Sequence, residues 1–179
     1  MDAHDISREE FELLVNFAGS LFKEARATAD AGLWRPAVIL IGASLESALL
    51  ATVYCLEHEL RAMGTWPKTK RSPREWGLRE LIPLASVAGW LPSRITESGM
   101  APDPSGPLKG DIGDAVTFVQ SIRNALAHPG RHVGDLPWLE VADDAVMKPT
   151  YELCEGIAGE VYERLRQVIE ASAVHCDEV

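Results

Sequence analysis

The sequence is poor in groups that cross-link or extend a small fold. It has three cysteines, Cys55, Cys154 and Cys176, an odd number with no CxxC pair, which encodes neither a disulfide framework nor a zinc ribbon. Basic residues are few: 17 lysines and arginines stand against 27 aspartates and glutamates, a formal net charge of -10. A chain of that sign has no overall attraction for nucleic acid or an anionic membrane, so any contact with RNA must be local. No run of valine, isoleucine and threonine alternates with polar residues, so no strand is expected. There is no internal repeat and no heptad pattern long enough for a coiled coil. The N-terminus, Met1-Asp2-Ala3-His4-Asp5, lacks the basic segment leading into an apolar one that marks a secretory signal; with the sparse cysteines, this predicts a cytoplasmic protein. The most apolar stretch, residues 36–56, carries Glu46 near its centre. A carboxylate there is costly in a bilayer, so the stretch is expected to be a buried core helix and no membrane partner is expected.

What remains is an ordinary globular composition, 46% hydrophobic and 25% charged over 179 residues, which fits one domain spanning residues 1–179. Ser7-Arg8-Glu9-Glu10 has the form of a capping box ahead of Phe11, Leu14, Val15, Ala18 and Leu21, predicting a first helix to about Ala31 that Gly32 ends. Pro36 suits the first turn of a second helix, apolar nearly all round and expected to run to Met63 as the central element. Residues 64–74 read as a basic loop, with Lys68, Lys70, Arg71 and Arg74 between Trp66 and Trp76. A third helix from about Leu78 to Trp90 is expected to be irregular at Pro83, and residues 99–110 form a second, Pro/Gly-rich loop. Asp111 or Asp114 can cap a fourth helix through Val116, Val119, Ile122 and Leu126. A fifth, from about Asp143 to Ala173, carries Tyr151, Ile157, Val161, Leu165 and Val168 at helical spacing. The expected fold class is an all-α bundle of four or five helices.

The chemistry-bearing segment is Arg123-Asn124-Ala125-Leu126-Ala127-His128, followed by Pro129-Gly130. The proline disfavours helical dihedrals at His128 and the glycine suits a left-handed cap, so His128 should sit at the C-terminus of the fourth helix. Asn124 and His128, four apart, share a face; Arg123 and His128, five apart, converge only through the helix break and the long arginine side chain. Imidazole is the side chain whose ordinary titration range reaches neutrality. Transesterification of RNA asks for such a trio: a histidine to move a proton at the ribose hydroxyl or leaving oxygen, an arginine for the phosphate charge, and an asparagine to orient either. It requires no metal or other cofactor.

Arg123-Asn124 with His128 near a helix end, in an all-helical chain of this size, resembles the Arg-x(4–6)-His signature of the HEPN superfamily. The resemblance implies an elongated helical bundle, commonly a homodimer, with the Arg and His of both protomers lining a cleft. It implies a metal-independent endoribonuclease acting on an RNA substrate, in toxin–antitoxin, antiviral or RNA-processing settings, with an antitoxin or other regulatory protein as partner. It equally implies a class that has lost activity and serves in dimerisation or protein interaction. Arg123, Asn124 and His128 match the family's motif. The His-x-Tyr continuation of one subfamily is replaced here by His128-Pro129-Gly130, so that subfamily's tyrosine modification does not carry over.

For each of these residues a plainer role stands beside the functional one. Arg123 and His128 read equally as surface basic residues before a Pro-Gly stop. Glu46, an expensive group in so apolar a helix, either has a cationic partner, with Arg123 the candidate, or reaches solvent through a polar stripe with Ser47. Lys68, Lys70, Arg71 and Arg74 can contact phosphates while a tryptophan stacks on a base, or they line a solvated loop whose tryptophans pack on the core. Arg131 and His132 either add positive potential beside the motif or are ordinary loop residues. Cys55 and His58 share a helix face, but no second pair completes a metal site, so none is expected.

Overall fold

The computed structural model describes residues 8–68, 72–91, 115–128, 139 and 142–176. Six α-helices account for most of them: α1 (Arg8–Asp30), α2 (Trp34–Cys55), α3 (Glu57–Ala62), α4 (Leu78–Val87), α5 (Ala115–Ala127) and α6 (Asp144–Cys176), with one 3-10 turn at Pro73–Glu75. No strand occurs among the described residues. The all-α bundle expected from the sequence is therefore the fold.

α2 is the hub, packing against α1, α4, α5 and α6. Its buried positions, including Ala37, Val38, Ile41, Leu45, Leu49 and Val53, run around the helix, because neighbours surround it and water reaches little of it. By length and composition it could cross a membrane; in this fold its apolar surface is spent on its neighbouring helices. α1 meets it through Ala18, Ala25 and Ala29, all buried, and such small side chains let two helix backbones approach closely. The turn between them is short. Gly32, at φ 76°, closes α1 with its N–H donating to the Ala29 carbonyl and the Leu33 N–H donating to the Thr28 carbonyl, at 2.8 and 3.0 Å. That paired closure needs a left-handed residue, which glycine supplies without a Cβ penalty.

α6 docks on the other flank through Met147, Tyr151, Cys154, Ile157, Ala158, Val161 and Leu165, all buried. A hydroxyl pair ties three helices together. Ser44 Oγ donates to the Ala18 carbonyl at 2.8 Å and lies 2.5 Å from the Tyr162 hydroxyl. With the serine proton committed to Ala18, the phenol is the donor to Ser44. Burial, the larger influence, pushes the Tyr162 phenol above its ordinary range, and the bond to Ser44 partly offsets it. At the foot of α6, Arg35 donates to the carbonyls of Leu139 and Ala142, at 3.1 and 2.9 Å, pinning the approach to that helix onto the start of α2.

Two element boundaries differ from expectation. The helix expected to continue to Met63 breaks at Leu56 (φ -113°, ψ 21°), so α3 is a separate short helix. Neither proline nor glycine stands there; the buried Leu56 side chain turns into the core instead, a tertiary preference that local sequence does not display. α4 runs through Pro83 and ends at Val87, short of Trp90. Pro83 faces solvent, where the hydrogen bond it cannot make is replaced by water. Ser7, Asp111, Asp114 and the 99–110 loop lie outside the described residues.

Candidate functional site

α5 reaches α2 at Gly42. A Cβ on Gly42 would lie 2.6 Å from Cγ and 2.9 Å from Cβ of Arg123, so the arginine stem rests on bare helix backbone. Its guanidinium emerges with the side chain 26% exposed. Nη1 donates to Asn124 Oδ1 at 3.0 Å. Arginine only donates, so this bond turns the amide oxygen of Asn124 toward Arg123 and leaves the amide NH₂ facing elsewhere. Nη2 lies 3.9 Å from Glu46 Oε2, close enough for charge attraction and too long for a hydrogen bond. Nε is buried and has no hydrogen-bond partner among the described residues. Arg123 is thus held in place with N–H donors to spare.

Glu46 follows Gly42 by one helical turn and shares its face. The same Oε2 accepts the backbone N–H of Leu78, the first residue of α4, at 3.1 Å. A Cβ on Gly77 would stand 3.3 Å from that oxygen, so glycine keeps the approach open. Glu80 accepts the Gly77 N–H at 3.2 Å. Two carboxylates therefore satisfy the first donors of α4, where negative charge is favoured. Glu46 in this way joins α2, α4 and α5 at one point.

His128 stands just past the last residue of α5, with its backbone N–H donating to the Asn124 carbonyl at 2.9 Å. Its side chain is exposed, and no hydrogen bond or ion pair holds the imidazole among the described residues. The structure thus gathers Arg123, Asn124 and Glu46 into one cluster and sets His128 one turn beyond Asn124, outside it. Chemically, the cluster offers a fixed cation with unused donors, and an exposed imidazole stands one helical turn from Asn124.

The basic loop divides. Lys68 is exposed; Lys70, Arg71 and Arg131 lie outside the described residues. Arg74 is ion-paired with Glu10 of α1, beside Tyr54, whose phenol is pushed up chiefly by burial and pulled back by that guanidinium. Trp76 is buried and its ring packs 5.1 Å from that of Trp66, while the Arg61 guanidinium lies 4.0 Å over Trp66. These tryptophans belong to the core and its edge. The base-stacking role open to them in the sequence has no free ring face at Trp76, and Arg61 covers Trp66. Two contributors to the cluster, Gly42 and the Leu78 amide, are absent from the sequence reading. A glycine inside an otherwise apolar helix was the available signal for the first, since it marks close backbone approach; the second has no side-chain signature.

Comparison with protein-family models, with curated proteins and with solved structures returns no match for this chain.

Proposed function

We propose that this protein is a metal-independent endoribonuclease of HEPN type, acting in a toxin–antitoxin or antiviral setting. The observation that supports it is the state of Arg123: anchored through Nη1 by Asn124, with its side chain still 26% exposed and no hydrogen bond to Glu46 at 3.9 Å. A guanidinium has five N–H donors, so the exposed end keeps donors that an anionic oxygen can accept. In the proposed reaction Arg123 binds the scissile phosphate, and the Asn124 NH₂ adds a donor. His128 takes the proton of the ribose 2′-hydroxyl as that oxygen attacks phosphorus. It then returns the proton to the departing 5′-oxygen, leaving a cyclic phosphate. Glu46 is a positioning residue that keeps Arg123 over Gly42.

The test is cleavage of a labelled structured RNA in EDTA, comparing wild type with Arg123→Ala and His128→Ala at matched folding. Cleavage by the wild type with cyclic phosphate ends, lost in both variants and weakened by salt because the attraction is local, is the expected result. Absence of cleavage by the wild type across several RNAs at low salt overturns it. One observation favours a second role, a catalytically silent interaction module: the Glu46 carboxylate already neutralises part of the Arg123 charge at 3.9 Å. That role predicts no cleavage, and a loss of stability as the main effect of Arg123→Ala.

A further inference from the structure

Between α1, α2 and α6 the bundle leaves a cavity of about 320 Å³, at the small end of the range of about 300–1,000 Å³ typical of small-molecule sites. Its cause is small side chains. α2 presents Ala48 and Ala51 to this space, too short to fill it, so Val15 of α1 borders it and stays 44% exposed. α1 and α6 run antiparallel here, since Arg26 pairs with Glu155 and Phe22 packs on Tyr162. One end of the cavity therefore abuts the buried junction where Ser44 bonds to Ala18 and Tyr162. The other lies between Phe11 and Glu170, seven residues back along α1 and eight residues on along α6, a span of about 10–12 Å at the helical rise of about 1.5 Å per residue.

The wall offers almost nothing to hydrogen-bond. Thr52 Oγ1 donates to the Ala48 carbonyl at 3.0 Å, and the Tyr162 hydroxyl is taken by Ser44. Ordered water needs two or more polar partners, so this space suits an apolar occupant. Charge gathers at the Glu170 end. There Arg166 Nε and Nη2 donate to Glu163 at 3.0 and 2.6 Å, and Nη1 donates to both oxygens of Glu170 at 2.6 and 2.8 Å. All three guanidinium nitrogens are engaged, and two carboxylates around one cation leave a net negative charge at this rim. An anionic head finds no unclaimed nitrogen and an unfavourable field, whereas a cation finds carboxylate oxygens. We infer that the cavity binds a lipophilic amine, with its hydrocarbon tail toward Ala18 and Tyr162 and its ammonium at Glu170. An extended chain advances about 3.5 Å over three bonds, so a tail of about eight carbons runs most of the length. Burial of the tail supplies the affinity, and the head fixes the direction.

This site is independent of the reading of Arg123. At about 100° per residue, Ala48 and Ala51 project from the side of α2 turned away from Gly42 and Glu46, and neither α4 nor α5 contributes to the cavity among the described residues. Amine binding is measured without RNA, so its failure and a failure of the ribonuclease reading are distinguishable.

Isothermal titration calorimetry of the purified full chain with octylammonium, octanol and octanoate, at neutral pH and low salt, tests the inference. Octylammonium is expected to bind at one site per chain, about two- to five-fold tighter than octanol because the rim charge is exposed, with octanoate weakest. Hexylammonium, shorter by two methylenes, should bind about ten-fold more weakly than octylammonium. Val15→Trp and Ala48→Leu fill the space from different helices, and each should abolish binding in a chain that keeps its circular dichroism and a cooperative melt. Val15 is exposed enough that its replacement leaves the core packing alone. Glu170→Gln balances the charge at the rim and should erase the difference between octylammonium and octanol. No binding of any of the three compounds, or binding indifferent to both Val15→Trp and Ala48→Leu, overturns the site. Octanol or octanoate binding as tightly as octylammonium overturns the amine head.

Discussion

Gly42 and Arg123 touch through a gap that has no room for another carbon: the nearest arginine atom lies 2.6 Å from where a Cβ of residue 42 would be. Alanine favours a helix over glycine by about 1 kcal/mol, so on propensity alone Gly42→Ala would stabilise. Contact under 3 Å with a stem packed on the core reverses the sign. The expected result is a net loss of about 1–3 kcal/mol in denaturant unfolding, together with a displaced guanidinium. Most of the penalty involves Cγ, so Gly42→Ala introduced into Arg123→Ala should cost less than in the wild type. A double-mutant cycle that is additive within error would show the contact to be slack.

Glu46 has two tasks that conservative and drastic substitutions separate. Glu46→Gln keeps an oxygen for the Leu78 N–H and removes the charge beside Arg123; Glu46→Ala removes both. The Gln variant is expected within about 0.5 kcal/mol of wild type, because the ion pair is long and partly exposed. The Ala variant should lose about 1–2 kcal/mol, as for removal of a helix N-terminal cap. Equal losses in the two, read from chemical denaturation, would mean that the cap is not what Glu46 supplies.

Alkaline pH probes the α6 interface. Burial pushes the Cys154 thiol up to about 12, against an ordinary value of about 8.5. The unfolded chain therefore loses this proton first. The contribution to stability is fully present below the ordinary thiol range and declines as pH rises from there to about 12, by up to about 1.4 kcal/mol per pH unit. Tyr151, raised to about 12 first by burial and then by the Glu155 carboxylate, steepens the decline above about 10. Cys154→Ala should lower stability at neutral pH through the cavity it leaves, yet show a shallower fall between pH 9 and 11. Melting curves over that range that remain parallel to wild type would contradict the assignment.

Helix identity was legible because hydrophobic period and glycine stops are local signals. Gly32 ends α1 where its position between two periodic segments says it must. The break at Leu56 was not legible, because what bends the chain there is the pull of the core on one leucine. The site shows the same division. The spacing of Arg123, Asn124 and His128 places them at one helix end in any helical fold. That Arg123 lies on Gly42, and that Glu46 also holds the start of α4, depends on how helices distant in sequence meet.

The bond from Ser44 to the Ala18 carbonyl and the Gly32 turn both belong to the part of the molecule where α1 and α2 lie side by side and close together in the chain. Contacts between sequence neighbours form early, since little loop entropy opposes them. The seat that Gly42 and Glu46 offer to Arg123 is thus built before α5 arrives to fill it. During that interval a newly made chain has its α1–α2 hairpin but not its guanidinium cluster. If the cluster is a nuclease centre, the chain is unable to cut anything until α5 has docked.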